Sequence, residues 1–381
     1  MEFNFLQPVS LELQSFLKEL SSQQLGSKVT FHTQEDFPDM ERIKIAIIGV
    51  CDNRGLNDLE IDLSHFREAL YSLFPGNWES SIADLGDILP GNTKSDTYFA
   101  LQMTVSSLIK RKIIPIIIGG SQDLTYALYR AYDNLEQMVN LVAIDSKFDF
   151  GKESDPISAS SYLTRIVLDE PNNLFNFSNV GFQTYYNSQE EIDLIEKLFF
   201  DAYRLGDATH SISITEPVFR DADIVSLDLH SVKSSDSGNF ITFTPNGFNG
   251  KEICALARYS GISDKVSLFG VFNHEGLSQE AVLIAQIVWY FIEGFHYRSN
   301  EYPFGSKEHY LKYIIPLEDD ELVFYKSNRT ERWWIEIPFV SSSNNKLKKS
   351  TLLPCSHEEY LAACNQQLPE RWWKAQRKNI I

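Results

Sequence analysis

The feature that most constrains this chain is a run with no polar alternation, Ile-Ile-Pro-Ile-Ile-Ile at Ile113 to Ile118. A strand with one wet face alternates apolar and polar residues, whereas a strand covered on both faces does not. Comparable runs of strand length fall at Ile43 to Val50, Ser80 to Leu85, Asn140 to Ile144, Asn179 to Phe182, Ile224 to Leu229 and Lys265 to Phe272. Helical patterns separate them at Ser64 to Phe74, Thr97 to Arg111, Asp123 to Tyr132, Glu190 to Tyr203, Gly250 to Ser260 and Ser278 to Phe295. Strand following helix repeatedly predicts an α/β fold, a three-layer doubly wound and mostly parallel sheet. Ligands of such sheets sit at the carboxyl ends of the strands, so the residues just after each apolar run are the candidate site.

The flanks have a different character. Residues 1–41 form a leader in which Ser10 is placed to cap a helix carrying Leu11, Leu13, Phe16, Leu17 and Leu20. Residues 42–302 hold the α/β pattern, and residues 303–381 read as an α+β extension. That extension has short antiparallel strands at Lys312 to Leu317, Glu321 to Ser327 and Trp333 to Phe339, then a polar linker over 341–350. Ser356 with Glu359 makes a capping box for a last helix. Trp333, Trp334, Trp372 and Trp373 lie in this tail beside Arg332 and Arg371. Two readings stand: the tail packs on the main domain, or its aromatics anchor a protein partner.

Charge narrows the function classes. With 34 Lys+Arg against 52 Asp+Glu the formal net charge is −18, which argues against nucleic acid and anionic membranes as partners. The opening MEFNFLQPVS has no basic or apolar segment of the signal-peptide kind, and the apolar stretch Val282 to Ile292 is interrupted by Gln286 and too short to span a bilayer. No membrane insertion is expected. Cys51, Cys254, Cys355 and Cys364 lie far apart without Cys-x-x-Cys spacing, so a reducing, cytoplasmic location is expected.

Three polar clusters close strands: Gly119-Gly120-Ser121-Gln122-Asp123, Asp145-Ser146-Lys147-Phe148-Asp149 and Ser226-Leu227-Asp228-Leu229-His230. By itself the first reads as a strand-to-helix turn with Asp123 or Ser121 capping the helix. Together their order and spacing resemble the ureohydrolase superfamily of arginase, agmatinase and formimidoylglutamase, whose motifs read GGDHS, DAHxD and SxDxD. The resemblance spans roughly residues 42–300, supported by Asp84-Leu85-Gly86-Asp87 and Asp221-Ala222-Asp223, and Gly181-Phe182-Gln183 brings it nearest to formimidoylglutamases. It implies a commonly trimeric or hexameric assembly, and hydrolysis of a linear amidine C–N bond at two Mn²⁺ held by two His and four Asp.

The positions that match those six ligands are Gln122, Asp145, Lys147, Asp149, Asp228 and His230. Three Asp match, while Gln122 and Lys147 replace the two His and His230 replaces the fourth Asp. The family's guanidinium-binding Glu lies in an E-x-N-P pattern, and the corresponding stretch here is Val271-Phe272-Asn273-His274; the substrate-placing segment becomes Ser160-Ser161-Tyr162-Leu163. The candidate pocket residues are therefore Gln122, Val271, Asn273 and Ser161.

Two readings of Asp145, Asp149 and Asp228 remain open. One is a vestigial metal site that, with Gln122, keeps a single Mn or Mg ion, His230 or Lys147 assisting proton transfer in hydrolysis. The other has Lys147 and His230 standing in for the metals as fixed positive charges, so that no cofactor is needed. Loss of two His, one Asp and the guanidinium clamp favours a catalytically degenerate protein that acts by binding, as a scaffold or regulatory component of a protein complex.

Overall fold

The computed structural model describes all residues except 1–2, 58, 60, 80, 136, 302–307, 318–320, 338–351 and 381. The linker 341–350, the boundary at 302/303, and the ends of the expected strands at residues 80 and 339 fall outside the described residues. Ten strands make one sheet: β1 (Leu6–Gln7), β2 (Thr30–Phe31), β3 (Ile45–Val50), β4 (Ile82–Ile88), β5 (Ile114–Gly119), β6 (Val139–Ile144), β7 (Leu174–Phe182), β8 (Asp201–Arg204), β9 (Ile224–Asp228) and β10 (Leu268–Phe272). Their order is β1-β4-β3-β5-β10-β9-β6-β7-β8, with β2 also on β4. Only β1 runs antiparallel, Leu6 facing Ile88.

Both faces of this sheet are dry. Along β5, Ile114, Ile116 and Ile118 pack with Ile253, Leu256, Ile284 and Phe291 on one side, while Ile117 packs with Leu101, Val105 and Leu128 on the other. These partners lie on helices Gly250–Ile262 and Ser278–His296 for the first layer, and Lys94–Lys110 and Leu124–Arg130 for the second. That is the three-layer α/β fold expected from the unalternated runs.

Several ends follow local chemistry. The Ser10 hydroxyl accepts the Leu13 amide at 3.1 Å and starts helix Leu11–Glu19, whose Leu13 enters the core. The leader adds more than a packed helix, because β1 and β2 both join the sheet edge. Helix Gln189–Lys197 is shorter than the expected Glu190 to Tyr203: Phe199 adopts a left-handed φ of 55° and the chain re-enters the sheet as β8. Asp123 and Ser121 do not cap the helix at Leu124; the Asp123 carboxylate accepts the Tyr98 hydroxyl, and the Ser121 hydroxyl accepts the Gly55 amide at 3.0 Å.

The extension forms a four-stranded antiparallel sheet, β11 (Tyr310–Pro316), β12 (Glu321–Ser327), β13 (Trp333–Glu336) and β14 (Leu352–Cys355), in that order. Ser356 and Glu359 make the expected capping box, but two helices follow, His357–Cys364 and Glu370–Ile380. Trp333, Trp334 and Trp372 are buried, and only Trp373 is exposed. The structure therefore withdraws three of the four tail tryptophans from an anchoring role.

Arg220, buried at the end of helix Glu216–Asp221, fastens this sheet to the main domain. Its guanidinium donates to the Trp333 and Cys355 carbonyls at 2.9 Å each, pairs with Glu216 at 3.1 Å and lies 4.7 Å from the Trp334 ring centre. Lys374 adds a 3.6 Å contact to Asp201 at the start of β8, and Arg371 approaches Asp201 and Asp221. Removing a buried, forked cation leaves two carbonyls and a carboxylate without their donor, which costs about 3 kcal/mol. Arg220→Ala should therefore lower the urea midpoint and accelerate hydrogen exchange in β13 and β14. Arg220→Lys should not restore either, because an ammonium lacks the planar fork.

Candidate functional site

The site is built from two turns of the same construction. β6 and β9 are parallel neighbours, with Ile144 facing Leu227, so Asp145 and Asp228 emerge side by side. Each carboxylate turns back onto the amide two residues later: Asp145 Oδ1 accepts from Lys147 N at 2.8 Å, and Asp228 Oδ1 from His230 N at 2.7 Å. These are Asx-type turns, which Asp forms readily at strand ends. Asp149 completes the cluster in a left-handed conformation with φ of 58°, a region that Asp tolerates better than most residues.

The three carboxylates are crowded and dry. Burial, with the charges of Asp149 and Asp228, pushes the Asp145 carboxyl well above the usual carboxylate range. Burial likewise lifts Asp149 to about 7, opposed by its hydrogen bond to Asp145. Asp145 Oδ2 meets no hydrogen-bond donor among the described residues. Burial and the same carboxylates raise the Tyr162 hydroxyl as well.

The substituted positions do not close around this cluster. Lys147 is exposed, with Nζ lying 5.8 Å from the Tyr186 ring centre. The turn is fixed in that attitude by Asn179, which donates to the Lys147 carbonyl at 2.7 Å, and by Asn187, which accepts the Phe148 amide at 2.8 Å. Lys147 is thus exposed rather than enclosed among the carboxylates, while its charge still acts on Asp149 and it lines the same cavity. Gln122 is wholly buried and points into the fold, its amide nitrogen donating to Tyr162 Oη at 3.3 Å and its Oε1 accepting from Asn273 at 3.3 Å. His230 does face the cluster, its Nδ1 3.9 Å from Asp228, while its Nε2 has no partner among the described residues.

A cavity of about 250 Å³ opens here, with Lys147, Asp149, Asp228, His230 and Asn273 in its wall. Val271 is not in that wall; it is buried in β10 between Ile118 and Leu227. Ser161 is turned away as well, its hydroxyl accepting the Ser158 amide at 3.0 Å, and Ser160 lines the cavity instead. Residues the sequence reading passed over are Tyr162 beneath Gln122, and Tyr186 and Phe243 at the mouth. Tyr162 stood inside a quoted motif, but a buried hydroxyl serving a buried amide leaves no periodic signal.

With this geometry the family can be assigned. The arginase family model matches residues 54–259, and the chain belongs to that family. No curated protein matches it significantly. Among solved structures, it is similar to Trypanosoma cruzi formiminoglutamase with Mn²⁺ at 19% identity and a TM-score of 0.63, over 69% of this chain and 97% of that one. Formimidoylglutamase from Bacillus subtilis gives 16% identity, a TM-score of 0.60, and coverage of 69% and 95%. Agmatine ureohydrolase from Thermoplasma volcanium gives 18%, 0.57, and 75% and 97%. These likenesses establish the ureohydrolase fold. No helix among the described residues is long and apolar enough to cross a membrane.

The residues do not fit the pair of manganese ions that the superfamily resemblance implies. Gln122 spends its amide on Tyr162 and Asn273, and a lysine, Lys147, stands where a ligating histidine would be needed. Among the described residues, no group of three or more His, Cys, Asp or Glu is arranged to hold a metal ion.

His274, on the loop after β10, provides a pH test of this interior. Burial holds its imidazole down at about 4, against an ordinary value of 6.5. As pH falls below 6.5 the unfolded chain takes up this proton first, so the contribution of a neutral His274 is lost progressively between about 6.5 and 4, on the order of 3 kcal/mol. His274→Asn keeps an acceptor near the Gly276 amide, which His274 Nδ1 now accepts at 3.2 Å. The difference in urea midpoint between wild type and His274→Asn should shrink from pH 7.5 to pH 4.5, the carboxylate titrations being common to both.

Proposed function

We propose that this arginase-family chain is catalytically degenerate and works by binding, as a scaffold or regulatory component of a protein complex. The observation that carries this reading is the commitment of Gln122 and Lys147 elsewhere. Gln122 is locked inward by hydrogen bonds, and Lys147 is an exposed lysine beside Tyr186 in the cavity wall, so neither position offers a histidine-type ligand to the carboxylates. The open cavity with its carboxylate wall is what remains available to a ligand.

A second reading, a hydrolase of a linear amidine using one divalent ion, draws on Asp145 Oδ2 and His230 Nε2, which have no hydrogen-bond partner among the described residues. One preparation separates the two. Supplied with Mn²⁺ and assayed on N-formimino-L-glutamate, agmatine and arginine, the protein should hydrolyse none faster than about twice the uncatalysed rate. Manganese-dependent turnover that disappears in Asp228→Asn would establish the hydrolase instead.

A further inference from the structure

Beside the cavity the chain keeps several apolar side chains in water. Phe240, Ile241 and Phe243 are 67%, 66% and 64% exposed, and Tyr185, next to cavity-lining Tyr186, is 63% exposed. Phe240 and Phe243 stack with ring centres 6.4 Å apart, and Tyr185 packs edge-on against Tyr186 at 4.6 Å. Phe243 and Tyr186 line the cavity itself, so these side chains and the carboxylate wall form one continuous surface.

The loop carrying these residues is fastened at its base. Asn239 Oδ1 accepts the amides of Ile241 and Thr242 at 2.9 Å, while its Nδ2 donates to Glu280 at 2.8 Å. The Ser234 hydroxyl accepts the Thr244 amide at 2.7 Å, and Gln183 exchanges hydrogen bonds with Asn246 at 2.9 and 3.0 Å. Held this way, the loop cannot fold its aromatics inward. A rigid display of contiguous apolar side chains marks an interaction surface whose ordering cost is already met.

We infer that this surface docks a segment of a partner protein that lays apolar side chains on Phe240, Ile241 and Phe243 and sends one Lys or Arg side chain into the cavity. The inference rests on the binding reading above and names its occupant. Charge complementarity selects the basic side chain: Asp149 and Asp228 in the wall outnumber its one lysine, Lys147, whose Nζ lies by Tyr186. Size admits one long side chain in about 250 Å³, and the exposed apolar residues beside the cavity favour a protein segment as its carrier. Those residues supply the remaining contact that a single side chain lacks.

The test uses the full chain and fluorescein-labelled peptides of about 12 residues, with leucine and phenylalanine flanking a central Lys, Arg, Gln or Glu, read by fluorescence anisotropy. Lys- and Arg-centred peptides should bind at least about tenfold tighter than the Gln-centred one. Phe240→Ser, Phe243→Ser and Asp228→Asn should each weaken them about tenfold. The two Phe positions are exposed, so their replacement leaves folding intact, which circular dichroism checks. Equal binding of the Gln-centred peptide, absence of binding, indifference to Phe240 and Phe243, or competition by free agmatine at the peptide's own concentration would overturn the inference. None of those results restores amidine turnover, so this inference can fail while the binding reading stands.

Discussion

A parallel sheet buried on both faces leaves only the ends of its strands in reach of water, and the rest of this molecule is arranged around that constraint. Ile116 and Ile117 point to opposite dry layers, so no polar site can be built on either face of β5. The two ends are used differently. At the carboxyl ends of β6 and β9 the chain opens a cavity walled by carboxylates. At the amino ends of β8 and β9 the extension docks through Arg371 and Lys374 on Asp201, with Arg220 clamping β13 and β14. The described part of the extension therefore docks at the opposite strand ends from the cavity.

The cavity keeps the backbone half of an arginase-family site and changes its side-chain half. Asp145 and Asp228 each complete a turn by accepting an amide two residues on. That bond gives both residues a structural role that needs no ion, since a short carboxylate at a strand end satisfies an amide the sheet cannot. Gln122 has likewise become part of the interior, joining Tyr162 to Asn273. The motifs form turns at the strand ends, and Asp149, Asp228 and His230 still face the cavity.

How far the sequence could be read follows from which signals are periodic. Unalternated runs at Ile45–Val50 and Ile114–Gly119 announced a sheet covered on both sides, and Ser10 and Ser356 announced helix starts through local hydrogen bonds. β8 was hidden because four residues carry no usable period and follow a helix directly; its start depends on Phe199 turning left-handed. β14 was hidden because Leu352–Cys355 pairs only with the distant β13. In the site, the three Asp were legible because a motif places their backbone. The directions of Lys147, Val271 and Ser161 were not, because Asn179, the neighbouring strands and Ser158 set them across the fold.

The fate of Lys147 shows why a cation in the sequence does not become a counter-ion in the fold. The turns at Asp145 and Asp228 are built alike, with Lys147 and His230 in equivalent places, yet one side chain leaves and the other stays. Drawing an ammonium into a dry cluster costs its hydration, and the gain from carboxylates already bonded to amides is reduced. Imidazole carries no such cost when neutral, so His230 can remain 3.9 Å from Asp228. The Lys147 Nζ instead lies 5.8 Å from the Tyr186 ring centre, at an exposed position. What the cavity then presents is a wall of Asp149, Asp228, His230 and Lys147 beside the aromatic side chains of Tyr186 and Phe243.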